Sequence, residues 1–224
     1  KDAAVSPLRM SALRDNPDYR AREALPGLEV TGAALDVSGW KFRKAVRLGG
    51  GSAHQAELDL DVLSHADSDM ADLRVVRGEV QVPYLLQRTS IHRQLSPTFT
   101  VTSDSKKPRQ SRWTVKLPRP RLPLTTLLCI AKTPVFQREL WVSEEIADER
   151  GNVYPRVLGR GTWVQTPERE SREFSLSLDV APKSDTLIIQ TDNGDNPPIE
   201  LEKIEAAAAV TRVLFKAKPS DSLL

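Results

Sequence analysis

The sequence predicts an all-β protein made of two antiparallel β-sandwiches, the second of jelly-roll type, preceded by a short N-terminal arm. Short segments of alternating apolar and polar residues recur from Trp40 to Ala217, and such alternation is typical of strands with one buried face. The chain contains 16 Pro and 11 Gly but only 5% aromatic residues, which favours short strands joined by stiff loops over a helical bundle. We expect fewer than about a tenth of the residues in helices.

The N-terminal arm comprises residues 1–37, where this alternation is missing. Its clearest local signal is Asn16-Pro17-Asp18, because Asn can cap a helix and Pro can occupy the first helical position. The sequence therefore predicts one short helix near 17–25, ended by Pro26-Gly27.

The first sandwich is predicted at 38–102. A hairpin is indicated by Arg77-Gly78-Glu79, which lies between two short apolar runs. The predicted strands are Trp40–Leu48, Ala56–Val62, Leu73–Val76, Val80–Leu86, Ile91–Leu95 and Phe99–Val101. The polar segment Ser103–Gln110 that follows is interpreted as a linker or a long hairpin tip.

The second sandwich is predicted at 111–218, and eight strands at this spacing favour a jelly roll. The predicted strands are Trp113–Leu117, Leu124–Ile130, Val135–Val142, Val157–Val164, Phe174–Val180, Leu187–Gln190, Ile199–Ile204 and Val210–Ala217. The run Glu205–Ala209 has strong helix propensity. A helical turn there is the alternative to continuous β structure.

Composition excludes several classes of function. The chain has 32 Lys and Arg against 30 Asp and Glu, so we expect no nucleic-acid partner. The basic segment Lys106–Arg121 is interpreted as a solvated strand face, with an anionic polymer site as the alternative. The longest apolar stretch, Leu122–Ile130, is too short for a membrane span.

The single cysteine and the three histidines predict no zinc site. Cys129 cannot form an internal disulfide, and it lies in an apolar strand, so we assign it to the core rather than to nucleophilic chemistry. The histidines His54, His65 and His92 are scattered along the chain and cannot form a Cys/His cage with it.

The most polar turn of the chain is Thr191–Pro198, where Asp192, Asn193, Asp195 and Asn196 surround Gly194. These residue types are what a tight turn requires for backbone reasons alone. Carboxylate and amide oxygens are also the ligands that Ca²⁺ selects. The sequence thus leaves two interpretations, a structural turn or a calcium site held by Asp192 and Asp195.

No catalytic constellation stands out, so we expect a protein that is not an enzyme. The carboxylates around Glu144, Glu145 and Glu170 lie among Arg and Ser in segments interpreted as solvated loops. Neither a Gly-x-Ser-x-Gly elbow nor a phosphate-binding Gly-rich loop is present.

The candidate ligand-binding residues combine aromatic, guanidinium and amide groups. Trp141 and Trp163 fall at the ends of predicted strands near Arg-rich loops, where a ring and a guanidinium such as that of Arg138 can contact a sugar. Asn193 and Asn196 complete this predicted set. Core packing is the alternative for both tryptophans.

Five segments together resemble an uncharacterised bacterial family of exported envelope proteins. They are Asp72–Val76, Val82–Tyr84, Phe136–Arg138, Asp192–Pro198 and Arg212–Phe215, and the resemblance covers roughly residues 38–218. It implies a galactose-binding, discoidin-type sandwich in the second region, a periplasmic or extracellular location, and a ligand or Ca²⁺ at the loops of one end. The chain lacks the evident pair of exposed aromatic residues of sugar-binding relatives.

These observations predict a non-catalytic binding module of the bacterial envelope with a glycan as its ligand. The alternative is a scaffold domain that binds another envelope protein, and a polysaccharide-active enzyme is the third interpretation. A glycan array distinguishes the first two classes.

Overall fold

A computed structural model describes residues 12–20, 22–102 and 107–224 of the chain. It is all-β, with 48% of residues in strands and 3% in helices, as the sequence predicted. One helix, α1 (Leu60–His65), accompanies the strands in these ranges. The strands are β1 (Ala53–Glu57), β2 (Val75–Arg77), β3 (Val80–Val82), β4 (Tyr84–Leu95), β5 (Thr98–Thr102), β6 (Gln110–Lys116), β7 (Leu124–Ala131), β8 (Phe136–Ala147), β9 (Val153–Gln165), β10 (Glu173–Ser177), β11 (Thr186–Asp192) and β12 (Leu201–Lys216).

Two five-stranded antiparallel sheets enclose the main core. One has the order β5-β6-β11-β8-β9, and the other is built around β12, which pairs with β1, β4 and β7, while β10 pairs with β7. Apolar residues of both sheets form one cluster, with Trp113, Leu140 and Ile189 from the first sheet and Leu127 and Ile204 from the second. Alternating strands therefore bury one face each, as the sequence pattern predicted.

Strand β12 is the longest element and replaces two predicted strands and the possible helical turn between them. Its alanine run pairs with β4 along one side and with β7 along the other. Ala206 and Ala208 are buried in the main core. Hydrogen bonding on both sides and this burial outweigh the helix propensity of alanine.

The predicted small sandwich at 38–102 does not form a unit of its own. β1 and β4 pair with β12, and β5 pairs with β6, so strands from both sides of the predicted boundary share sheets. The pairing of Thr102 with Arg112 makes the connection between β5 and β6 a hairpin. Part of that connection, residues 103–106, lies outside the described residues.

Two predicted elements of the N-terminal part are absent from the described ranges. Instead of a helix near 17–25, the Asn16 side chain accepts a hydrogen bond from the Asp18 amide, and its carbonyl accepts one from the Tyr19 amide. Asn16 therefore caps a turn rather than a helix. In place of the predicted strand Trp40–Leu48, the structure has an isolated bridge between Val46 and Leu223.

The predicted strand Ala56–Val62 is divided by a helix cap. β1 ends at Glu57, and the side chain of Asp59 accepts a hydrogen bond from the Val62 amide at 3.1 Å, which starts α1. The predicted hairpin after it is confirmed, with β2 and β3 paired around Gly78 at a φ of 62°. In the described part of the chain, no helix is long and apolar enough to cross a membrane.

Cys129 is buried in the main core, as the sequence predicted. Burial raises the pKa of its thiol to about 12, so the thiol stays protonated at neutral pH. We expect a thiol reagent such as DTNB to leave the native protein unmodified and to react with one thiol per chain in denaturant. Reaction of the folded protein at the rate of the unfolded chain would contradict this placement.

Candidate ligand-binding cleft

A cleft of about 470 Å³ lies at one end of the sandwich, where β8 and β9 meet the loop between β11 and β12. In the β8–β9 ladder, Phe136 pairs with Gln165 and Arg138 pairs with Trp163. Arg138 shares the inward-facing side of β8 with Phe136 and Leu140, because side chains alternate along a strand. Residues that line the cleft include Val135, Arg138, Val164, Gln165, Asn196 and Pro197.

Arg138 lines this cleft and carries a buried donor. Its Nη1 donates to the Gln137 carbonyl at 2.8 Å and its Nη2 to the Pro197 carbonyl at 3.4 Å. Its Nε is buried and has no hydrogen-bond partner among the described residues. No carboxylate of the described residues forms an ion pair with Arg138. Backbone carbonyls thus hold the guanidinium in place, while no carboxylate in the described ranges compensates its charge.

Gln165 lines the same cleft and carries a buried acceptor. The residue is only 4% exposed, and its Nε2 donates to the Arg169 carbonyl at 2.8 Å and to the Thr166 carbonyl at 3.2 Å. These two acceptors determine the orientation of the amide, because a flipped amide would direct its oxygen at them. Its Oε1 is buried, and no described residue pairs with it. Such a group costs free energy unless something pairs with it.

The two predicted tryptophans do not reach the cleft. Trp163 is buried, stacks on Phe174 at a centroid distance of 5.1 Å and donates from its indole nitrogen to the Ser175 carbonyl. Trp141 is half-buried on the opposite face of β8 from Arg138, and its indole nitrogen donates to Gln190. The Trp163 ring is therefore packed in the core, which was the alternative interpretation. Neither tryptophan ring forms a stacking platform in the cleft.

The two predicted asparagines have different roles. Asn196 lines the cleft. Asn193 is buried. Its side-chain Nδ2 donates to Ser111 Oγ at 2.9 Å, and its backbone amide donates to the Arg109 carbonyl at 2.7 Å. Asn193 thus attaches the loop to β6 and supports the position of Asn196.

The two predicted calcium ligands have other partners. The Asp192 carboxylate accepts a hydrogen bond from the Gly194 amide at 2.8 Å, and Gly194 has a φ of 58°. Asp195 is 89% exposed and forms an ion pair with Arg109 at 3.2 Å. These are features of a tight turn. Within the described ranges, no group of three or more His, Cys, Asp or Glu side chains is placed to hold a metal ion.

The carboxylates considered for catalysis do not form a pair. Glu144 is fully buried in β8, which corrects its interpretation as part of a solvated loop, and it forms an ion pair with Arg156. Its neighbour Glu145 is exposed and pairs with Arg112 at 3.3 Å. Consecutive strand residues point to opposite faces, so these two carboxylates cannot act on one bond.

The basic segment before β7 has acidic partners. Four of its cations form ion pairs with carboxylates of other segments, namely Arg109 with Asp195, Arg112 with Glu145, Lys116 with Asp185 and Arg119 with Asp61. This arrangement agrees with a solvated strand face.

Sequence reasoning missed Gln165, Val164 and Val135 as members of the site. The predicted strand ended at Val164, one residue short of Gln165. Extending the alternation from Trp163 by two residues would have placed Gln165 on the same inward-facing side. Its position beside Phe136 depends on the β8–β9 register, which no local pattern reveals.

Comparison with known proteins adds no assignment, because no protein family, curated protein or solved structure matches the chain. The family resemblance and the envelope location thus stay predictions from the sequence. The chemistry of the cleft is what remains for a functional argument.

Proposed function

We propose that the chain is a non-catalytic binding module that holds a glycan in the cleft between β8, β9 and the β11–β12 loop. The observation that carries this proposal is the pair of buried, unpaired polar atoms, the Arg138 Nε donor and the Gln165 Oε1 acceptor. Both belong to residues that line one cleft. A ligand that supplies both an acceptor and a donor would remove the free-energy cost of leaving these two buried atoms unpaired.

Sugar hydroxyls fit this requirement because each one both donates and accepts hydrogen bonds. Neighbouring hydroxyls on one ring can therefore pair with the arginine and with the glutamine. Val135 and Val164, which are 58% and 40% exposed, offer apolar surface to the C–H faces of the ring. Without an exposed aromatic platform, polar contacts must supply most of the specificity.

Replacing Arg138 tests this proposal directly. We expect Arg138→Gln to weaken glycan binding at least about tenfold, since it removes a charge-assisted hydrogen bond worth about 1.5 kcal/mol or more. A glycan array identifies the ligand, and titration calorimetry with that glycan measures the loss.

Arg160→Gln is the matched control for this experiment. Arg160 is exposed on β9 in the same strand pair, and its removal changes the net charge equally. Unchanged affinity in Arg160→Gln is expected. An array with no bound glycan, or an equal loss in both variants, would contradict the proposal.

The second candidate is a protein-interaction domain, favoured by the apolar start of β9. Val153, Tyr154 and Val157 are exposed there, and β9 is the last strand of its sheet. Such an edge can pair with a strand of another protein. Cross-linking to an envelope protein that is lost in Tyr154→Lys, together with an empty glycan array, would favour this candidate.

The remaining sequence predictions have their own measurements. Turnover on polysaccharides that disappears in Glu145→Gln or Glu170→Gln would support the enzyme interpretation. Thermal melts in calcium chloride and in EDTA test the calcium site, with Asp195→Asn as the variant that should lose any calcium response.

A further inference from the structure

The ligand's charge can be inferred from how the arginines of the chain are compensated. The half-buried Arg77 and Arg156 contact the carboxylates of Asp221 and Glu144. Among the described residues, the half-buried Arg138 and Arg74 instead contact backbone carbonyls. Arg138 differs from Arg74 in that its Nε is also buried and unpaired within the described part of the chain. A partly desolvated guanidinium without an anionic partner favours an anion from outside the chain.

A second cation lies beside the same strand end. Arg169 donates to the Val164 carbonyl at 2.8 Å and to the Glu173 carbonyl at 2.8 Å, and its guanidinium lies over the Phe174 ring. The acids of the neighbouring loop, Glu168 and Glu170, are exposed. Within the described part of the chain, no carboxylate forms an ion pair with Arg169. Two arginines without an ion-pair partner among the described residues therefore lie at this strand end.

Gln165 restricts the kind of anion. A carboxylate accepts hydrogen bonds but cannot donate one, so it satisfies Arg138 and leaves the Gln165 Oε1 unpaired. A hydroxyl next to the carboxylate would supply the missing donor. Uronic acid residues combine both groups on one sugar ring.

We propose that the cleft binds an acidic glycan, with the carboxylate of a uronic acid residue on Arg138 and a hydroxyl of the same residue on Gln165. This inference deepens the proposed glycan-binding function and rests on it. The Arg138 Nε and the remaining Nη protons form the fork that matches a carboxylate. Arg169 adds longer-range attraction for the anionic chain.

The experiment compares acidic oligosaccharides with their carboxyl-reduced counterparts. Calorimetric titrations use oligomers of galacturonate, glucuronate and mannuronate, each beside the reduced oligomer with the same ring stereochemistry. We expect at least one acidic oligomer to bind about tenfold more tightly than its reduced form, the effect of one charge-assisted contact. Raising the salt concentration should narrow that difference, because salt screens the ion pair.

Arg138 variants connect this preference to the cleft. Arg138→Gln should remove the preference for the acid, and Arg138→Lys should keep part of it, because lysine retains the charge without the fork. Arg160→Gln should keep all of it. Thermal midpoints of the variants show whether each one is folded.

Each other outcome contradicts a defined part of the proposal. Equal binding of an acidic oligomer and its reduced form would overturn the acidic ligand and leave glycan binding intact. If neither the acidic nor the reduced oligomers bound, and peptides ending in a free carboxylate bound through Arg138 instead, glycan binding and the acidic ligand would both be overturned. The result would favour a protein partner. A preference for the acid that persists in Arg138→Gln would move the site away from this cleft.

Discussion

Glu144→Gln is expected to lower the free energy of unfolding by about 3 kcal/mol, the usual cost of removing one partner of a buried ion pair. The Glu144 carboxylate is fully buried in β8 and accepts a hydrogen bond from Arg156 Nε at 2.7 Å. Its other oxygen accepts from the backbone amides of Lys183 and Ser184 at 2.8 and 2.7 Å. The substitution leaves the Arg156 charge uncompensated and turns one acceptor into a donor that faces other donors.

Glu145 provides the control one residue away. Its carboxylate is exposed and forms an ion pair with Arg112 at the sheet surface. Glu145→Gln should change the free energy of unfolding by less than about 1 kcal/mol, as is usual for exposed pairs. Urea unfolding followed by tryptophan fluorescence measures both variants. If both variants lowered the free energy of unfolding by the same small amount, the Glu144 carboxylate would not be holding Lys183 and Ser184, the residues before β11, in place.

The local fold was predictable wherever one face of a strand is buried and the other is solvated. Phe174 and Leu176 alternate with serines in the sequence, and both are buried in β10. The same periodicity located β6 and β7. Alternation is a local signal, so it identifies a strand even when the strand that pairs with it is unknown.

The pairing of distant strands was not predictable by the same reasoning. β12 joins β1 and β4 to the rest of the structure across more than a hundred residues of sequence, and alternation contains no information on such partners. Trp40 and Phe42 alternate like strand residues but remain exposed. Alternation without a neighbouring strand to pair with does not produce a strand.

The candidate site was predictable only in part. Arg138 and Asn196 were selected for their chemistry, and both line the cleft. Trp163 was selected for the same reason, but its ring is enclosed by the core. Which polar atoms remain unpaired depends on the β8–β9 register and on the course of the β11–β12 loop, so Gln165 emerges only from the three-dimensional arrangement.

Gly159→Ala is expected to destabilise the protein by about 3 kcal/mol, at the upper end of the usual cost of overpacking. A Cβ at this position of β9 would lie 2.1 Å from the Ser177 carbonyl oxygen. The obstacle is backbone at the end of β10, so no side chain can turn away to make room. The close approach is also where the Asp179 amide donates to the Leu158 carbonyl at 2.7 Å, which connects the edges of the two sheets.

Two other glycines make this prediction specific to the backbone contact. A Cβ at Gly161 would meet the end of the Leu176 side chain at 2.9 Å, and one at Gly49 would meet no atom of the described residues within 4 Å. Gly161→Ala should therefore cost about 1 kcal/mol, less than Gly159→Ala because its contact is with the far end of a side chain rather than with backbone. Gly49→Ala should stay within about 0.5 kcal/mol of the parent. Urea unfolding of the three variants should give this order. If Gly159→Ala were as stable as Gly49→Ala, β9 and β10 would not approach this closely, and the edge of the sandwich that carries Gln165 toward the cleft would need another support.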